Sequence, residues 1–136
     1  MAESSIIGGC LCGAVRYRST AAPRALSLCH CRSCRRASGA PSVAWAVFAA
    51  EHFAFTTGQP VAFNSSPGVE RTFCGRCGTP LTWQRGTEAD TIDVTTASLD
   101  SPDDFAPTKE IWIEHAIAWE ALNPATEHYP RSSVGA

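Results

Sequence analysis

Charge is scarce in this chain of 136 residues: Asp, Glu, Lys and Arg make up 18% of it, against about 25% in an average soluble domain. What charge there is nearly cancels, leaving a formal net of −2 and a pI near 6.0. A basic field that would draw the protein onto nucleic acid or an anionic membrane surface is therefore missing, and neither partner is expected. Long apolar runs are missing as well. No stretch approaches the roughly 18 apolar residues of a transmembrane helix. Met1–Gly9 has neither a basic start nor an apolar run of signal-peptide length, so the cytoplasm is the expected compartment. No repeat at solenoid spacing and no linker composition appears. One domain over 1–136 is expected, with a core over 5–122 and an extension and tail over 123–136, of which Arg131–Ala136 reads as a loose end.

Apolar residues amount to 44%, and a chain of this length buries roughly two thirds of its unfolded surface, enough for a modest core. Four tryptophans and six phenylalanines are dispersed along it, and read as core anchors rather than a base-stacking platform. The periodicity is mostly two. Alternation over Ala14–Ser19, Val43–Phe48, His52–Thr56 and Thr91–Thr96 predicts strands, with another over Leu81–Gln84. Gly and Pro break the chain at Gly39-Ala40-Pro41, Gly58-Gln59-Pro60, Pro67-Gly68 and Gly78-Thr79-Pro80. Short strands at this spacing predict a mainly β, antiparallel fold. Arg32–Ser38 predicts one short helix, Ser101-Pro102-Asp103-Asp104 resembles an N-cap with proline at the first helical position, and Ala116–Leu122 shows weak helical spacing.

Cysteine, in contrast, is abundant. Seven residues fall into three clusters: Cys10-x-Cys12, Cys29-x-Cys31-x-x-Cys34 and Cys74-x-x-Cys77. An odd number at short spacings suits metal ligation better than disulfides in a reducing compartment. Cys74-Gly75-Arg76-Cys77-Gly78 has the form of a zinc knuckle, with Gly75 and Gly78 free to take positive φ. Alternate residues share a strand face, which brings Cys10 and Cys12 together. These two pairs make four thiolates, a closed tetrahedral site. The Cys29/Cys31/Cys34 cluster makes three, one short of closure, and three ligands with an open position is how catalytic zinc is held. Spacing alone also allows Cys31/Cys34 to pair with Cys74/Cys77, leaving Cys10, Cys12 and Cys29 over.

His30 alternates away from its neighbouring cysteines and reads as a core or surface histidine. Arg32, Arg35 and Arg36 flank the trio, and an arginine pair such as Arg35 and Arg36 suits bidentate capture of carboxylates like those of glutathione. His115 and His128 are possible proton carriers without a motif.

Three stretches in this order carry a resemblance: Gly8-Gly9-Cys10-Leu11-Cys12-Gly13-Ala14-Val15-Arg16-Tyr17, Cys29-His30-Cys31-Arg32-Ser33-Cys34-Arg35-Arg36, and Phe73-Cys74-Gly75-Arg76-Cys77-Gly78-Thr79-Pro80-Leu81. With Ile111-Trp112 and Trp119 they resemble the glutathione-dependent formaldehyde-activating enzyme family, whose domain also occurs in centromere protein V. The resemblance implies an all-β zinc fold of small packed sheets, similar to that of B-type methionine sulfoxide reductases. It implies two zinc ions per chain: a structural one on Cys10, Cys12, Cys74 and Cys77, and a catalytic one on Cys29, Cys31 and Cys34. It also implies a carbon–sulfur lyase that joins glutathione and formaldehyde as S-hydroxymethylglutathione. One departure stands out, since Glu110-Ile111-Trp112 replaces a common His-Ile-Trp and would change the charge of a substrate site there.

Two functional classes follow. The first is a zinc enzyme acting between a small thiol such as glutathione and a small aldehyde. The second is a non-catalytic zinc module, either a carrier or a protein-interaction domain. A thiol redox sensor is a further alternative.

Overall fold

The computed structural model describes residues 5–86 and 90–133. In chain order its elements are β1 (Ile6–Gly9), β2 (Arg16–Ser19), β3 (Ala25–Cys29), the helix α1 (Arg32–Ser38), β4 (Val43–Ala49), β5 (Phe53–Thr57), β6 (Val61–Ser66), β7 (Val69–Phe73), β8 (Pro80–Arg85), β9 (Thr91–Thr95), β10 (Lys109–Ile111) and β11 (Glu127–His128). The architecture is mainly β, as the period-two alternation predicts. A small antiparallel sheet has the order β1-β2-β5, and a larger sheet has the order β11-β10-β3-β4-β9-β8-β7-β6. The larger sheet is mixed rather than purely antiparallel, because β10 runs parallel to both β3 and β11.

Alternation along the central strands sends side chains to opposite faces. On one face Ala46 and Phe48 of β4 and Ile92 and Val94 of β9 pack with Tyr17, Phe53 and Phe55 of the small sheet. Burying each large apolar side chain contributes about 1.5–3 kcal/mol, so this layer is the principal adhesive between the sheets. On the other face Cys29, Val43 and Trp45 form a second cluster with Cys34, Trp83, Ile111 and Trp112. The tryptophans divide accordingly. Trp45 is the core anchor the sequence predicts, Trp83 and Trp112 are half-buried, and Trp119 is 74% exposed.

Helix α1 has the predicted bounds. Cys31 caps it, its Sγ accepting from the Cys34 N–H at 3.3 Å, and Gly39 ends it in the left-handed conformation with φ 73°. Pro102 opens a short 3-10 turn to Phe105, although the Ser101 side chain makes no capping bond. The helical spacing over Ala116–Leu122 is not realised. That segment is irregular, apart from the Glu120 N–H bonding to the Ile117 carbonyl, and it is anchored by polar contacts described below.

The expectation of a loose end from Arg131 is corrected over the described part. The Trp112 N–H donates to the Arg131 carbonyl at 3.0 Å, and Arg131 Nε donates to Glu114 Oε1 at 2.7 Å. The rest of that predicted tail, 134–136, lies outside the described residues.

Candidate metal centres and active site

The seven cysteines gather as two separate groups. Cys10, Cys12, Cys74 and Cys77 bring four sulfurs within 4.8 Å of one another, and Cys29, Cys31 and Cys34 bring three within the same limit. The alternative pairing of Cys31/Cys34 with Cys74/Cys77 is not formed. All seven thiols are free.

In the first group the local geometry differs from the strand predicted for Cys10 and Cys12. Both lie in the turn joining β1 to β2, where the Gly13 N–H returns to the Cys10 carbonyl at 3.2 Å. Leu11 between them is thrown outward, 89% exposed, and the two sulfurs approach to 3.6 Å. The opposing knuckle closes with the Gly78 N–H on the Cys74 carbonyl at 2.8 Å. Here Gly78 takes φ 83°, whereas Gly75 does not use positive φ. Gly75 is small for another reason: a Cβ there would meet Val61 Cγ2 at 2.7 Å.

Backbone N–H groups point at the sulfurs, Val15 to Cys10 at 3.3 Å and Arg76 to Cys74 at 3.3 Å. Thr79 holds the Cys77 thiol down to about 5 from its ordinary 9.0, through its hydroxyl and its backbone. Such donors favour thiolate over thiol. A tetrahedral ion with metal–sulfur bonds of about 2.3 Å places its sulfurs about 3.8 Å apart. The Cys12–Cys74 separation is 3.8 Å. The donor set therefore fits a closed tetra-thiolate ion.

In the second group Cys29 ends β3, Cys31 caps α1, and Cys34 is the buried residue of that helix. Cys34 Sγ lies 3.5 Å from Cys29 Sγ. Hydrogen bonds from the Cys29 and Cys34 thiols, then the Cys34 N–H and the charge of Arg71, pull Cys31 far below 9.0. Cys29 is driven up, since its thiol is the donor to Cys31 and it is buried. The three sulfurs therefore titrate as one unit. This donor set also fits a metal ion, with three ligands rather than four.

His30 points away from the sulfurs, as alternation predicts, and is completely buried. Its Nε2 is 2.7 Å from Glu110 Oε1. Its Nδ1 is 3.3 Å from Glu120 Oε1, in a geometry that makes no hydrogen bond. Glu110 also accepts from the Asn123 N–H at 2.7 Å and Thr126 Oγ1 at 2.8 Å, and Glu120 accepts from Ser42 Oγ at 2.8 Å. The expectation that Glu110 alters the charge of a substrate site is corrected. On β10 it faces away from the cavity that its neighbours Lys109 and Ile111 line, and it braces the loop between Cys29 and Cys31 from behind.

That cavity, of about 960 Å³, has the trio in its wall. Trp45, Trp83 and Trp112 supply apolar walls, and Arg32, Arg71, Arg85 and Lys109 supply positive charge against Asp90 and Asp93. Arg35 and Arg36 are not in its lining. Arg32 reaches the cavity with Ser33 and Cys34 from the first turn of α1, whereas Arg35 and Arg36, one turn further along, do not. His115 lines it too, stacked on Trp112 with ring centroids 5.3 Å apart. Trp112 is the non-glycine residue with positive φ among the described residues, at 57°, a conformation that is held only by surrounding structure and that clusters at functional sites. His128 lies outside the cavity, with Nε2 2.8 Å from the Asn123 carbonyl. Sequence reasoning missed Arg71, Arg85 and Lys109, because single charges on short strands carry no motif.

Comparisons with known proteins bear on the family and the fold. The family model described as glutathione-dependent formaldehyde-activating enzyme matches residues 5–115. A Schizosaccharomyces pombe protein named as an uncharacterized lyase is 33% identical over 81 residues, a match covering 54% of this chain. The chain spans about half of that relative's length, 53%. A crystal structure of a Rhodobacter sphaeroides protein superposes with a TM-score of 0.60 at 19% identity, covering 90% of this chain and 98% of the other, and shares the fold. No helix among the described residues is long and apolar enough to cross a membrane.

Proposed function

The chain belongs to the glutathione-dependent formaldehyde-activating enzyme family, and from that premise we propose that it is a zinc-dependent carbon–sulfur lyase-type enzyme joining a carboxylate-bearing thiol, glutathione by family, to formaldehyde. One observation carries the reading: three convergent sulfurs, without a fourth protein ligand among the described residues, stand in the wall of a cavity of about 960 Å³ walled by tryptophan and cationic side chains. In this reading Cys10, Cys12, Cys74 and Cys77 hold a structural zinc, and Cys29, Cys31 and Cys34 hold the catalytic one. Zinc bound by the trio would supply one chemical service, a cosubstrate thiol deprotonated at neutral pH.

The chain's own groups do the rest. Arg32, Arg85 and Lys109 draw the carboxylates of the thiol into the cavity, since positive charge in a low-dielectric cleft concentrates anions. Trp45, Trp83 and Trp112 exclude water from the attacking sulfur. That sulfur forms a carbon–sulfur bond at the aldehyde carbon, the carbonyl π pair moves to oxygen, and the proton lost from the thiol is returned to that oxygen. No redox change occurs. Arg35 and Arg36, which the sequence nominates for carboxylate binding, have a weaker claim than the cavity arginines.

The test is turnover of glutathione and formaldehyde to S-hydroxymethylglutathione, followed by NMR. The wild-type protein is expected to exceed the uncatalysed rate, and Cys31→Ser is expected to fall to it. Equal rates for the two proteins would remove the enzyme reading for this substrate pair and leave a zinc-binding carrier.

A further inference from the structure

Helix α1 spans only Arg32–Ser38, and Cys34 is its buried residue. Helices much shorter than about 12 residues do not hold themselves together in water, so the place of Cys34 relative to Cys29 and Cys31 depends on what grips that turn from outside. Cys31 grips it at the start, through the bond from the Cys34 N–H. A second grip comes from the far side of the sheet. Arg71, in the middle of β7, stands across from Trp83 of β8 and Phe63 of β6. Its Nη2 donates to Cys34 Sγ at 3.8 Å, and its Nε donates to Ser65 Oγ at 3.2 Å. Two donors of one planar fork are thereby used on two different elements, which orients the guanidinium as a flexible ammonium could not be oriented.

We propose that Arg71 is a positioning residue for the three-cysteine site: tethered by Ser65, its guanidinium fixes and electrostatically balances Cys34, and so sets how tightly the trio holds a metal ion. Three thiolates around a divalent cation carry a net charge of about −1, and a cationic donor on one sulfur offsets it. The inference rests on the metal-binding part of the reading above and not on its substrates.

Competition between the full-length protein and a chromophoric zinc chelator tests it. The wild type is expected to release zinc in two steps, a weaker one from the trio and a tighter one from Cys10, Cys12, Cys74 and Cys77. Arg71→Gln should weaken the first step by about 10–100-fold, the usual cost of removing a partner that orients a metal ligand, and leave the second unchanged. Ser65→Ala should give a smaller loss in the same step, and Arg71→Lys, which retains charge but not the fork, should recover part of it.

Arg85→Gln removes an equal charge from the same cavity without touching a sulfur, and should leave both steps at their wild-type values. Unchanged zinc release in Arg71→Gln, with KM for glutathione raised, would make Arg71 a substrate-binding residue and overturn the proposal. A wild-type protein releasing a single tightly held zinc would overturn it too. Failure of turnover alone, with two-step release intact, would count against the lyase reading and leave this assignment standing.

Discussion

Replacing Glu110 by alanine should destabilise this protein more than most single substitutions. Glu110 is 1% exposed and its carboxylate receives His30 Nε2, the Asn123 N–H and Thr126 Oγ1. Removing it leaves the completely buried His30 imidazole without its partner and takes an acceptor from the Asn123 N–H and the Thr126 hydroxyl, which are nearer the surface. Each hydrogen bond to a charged carboxylate contributes about 1.5–3 kcal/mol when buried and less near the surface, so losing all three costs about 3–5 kcal/mol. For a domain of this size that corresponds to roughly 10–20 °C in Tm.

Glu110→Gln retains the shape and one accepting oxygen but loses the charge, and should cost less. Acid dependence supplies an independent check. Burial pushes the Glu110 carboxyl up, but the hydrogen bonds from His30, Asn123 and Thr126 together outweigh it and hold the carboxyl below its ordinary 4.5. A carboxylate depressed in the folded state stabilises above its unfolded pKa, and that contribution is lost as pH falls through the depressed value. The stability gap between wild type and Glu110→Gln should therefore be full at neutral pH and narrow progressively below 4.5. Urea denaturation of the three proteins across this range is the assay. A Glu110→Ala penalty under about 1 kcal/mol, or a gap that widens on acidification, would refute the bracing role assigned to the His30–Glu110 contact.

The two cysteine groups should fail differently. Cys74→Ser breaks the tetra-thiolate site, and since structural zinc contributes on the order of 10 kcal/mol of apparent folding free energy, the variant should be insoluble or unfolded by circular dichroism. Cys34→Ser should remain folded with about one zinc fewer by elemental analysis, and equal collapse of both variants would contradict the division into scaffold and reactive site. Trp112 at φ 57° should make Trp112→Gly more stable than Trp112→Ala by about 1 kcal/mol, because glycine escapes the left-handed penalty while both lose the ring. Identical denaturation midpoints would show that no such strain is stored. Arg16 and Asp100 form a paired contact at the surface, with side chains 34% and 41% exposed. Despite good geometry, Asp100→Asn should cost under about 1 kcal/mol, and a larger loss in chemical denaturation would show that the pair is screened less than its exposure implies.

Much of the candidate site is local, and so was visible in the residues themselves. The spacing Cys74-x-x-Cys77 curls two sulfurs together in one tight turn, and Cys31-x-x-Cys34 does so at a helix start. Strands β4, β5, β8 and β9 alternate strongly and fall within a residue or two of the predicted spans, and α1 matches from end to end. Cys10 and Cys12 converge for a different reason from the one predicted, a turn rather than a strand face, yet the short spacing admits either route. The strands that went unread are β1, β3 and β7, together with three whose pattern is weak. β6 is exposed along its whole length and shows no buried face, while β10 and β11 are three and two residues long.

The residues themselves thus determined the thiol clusters that could hold a metal ion, because sulfurs at short spacing are brought together by a few φ and ψ angles within one turn. What they left undetermined is everything that depends on register across the sheet. Which pairs complete which site, that Arg71 rather than Arg35 meets a sulfur, and that Glu110 braces His30 from behind instead of facing the cavity all require strands distant in sequence to lie side by side. Such contacts are selected by burial of the whole core, and a side chain carries no local sign of the partner that packing will bring to it.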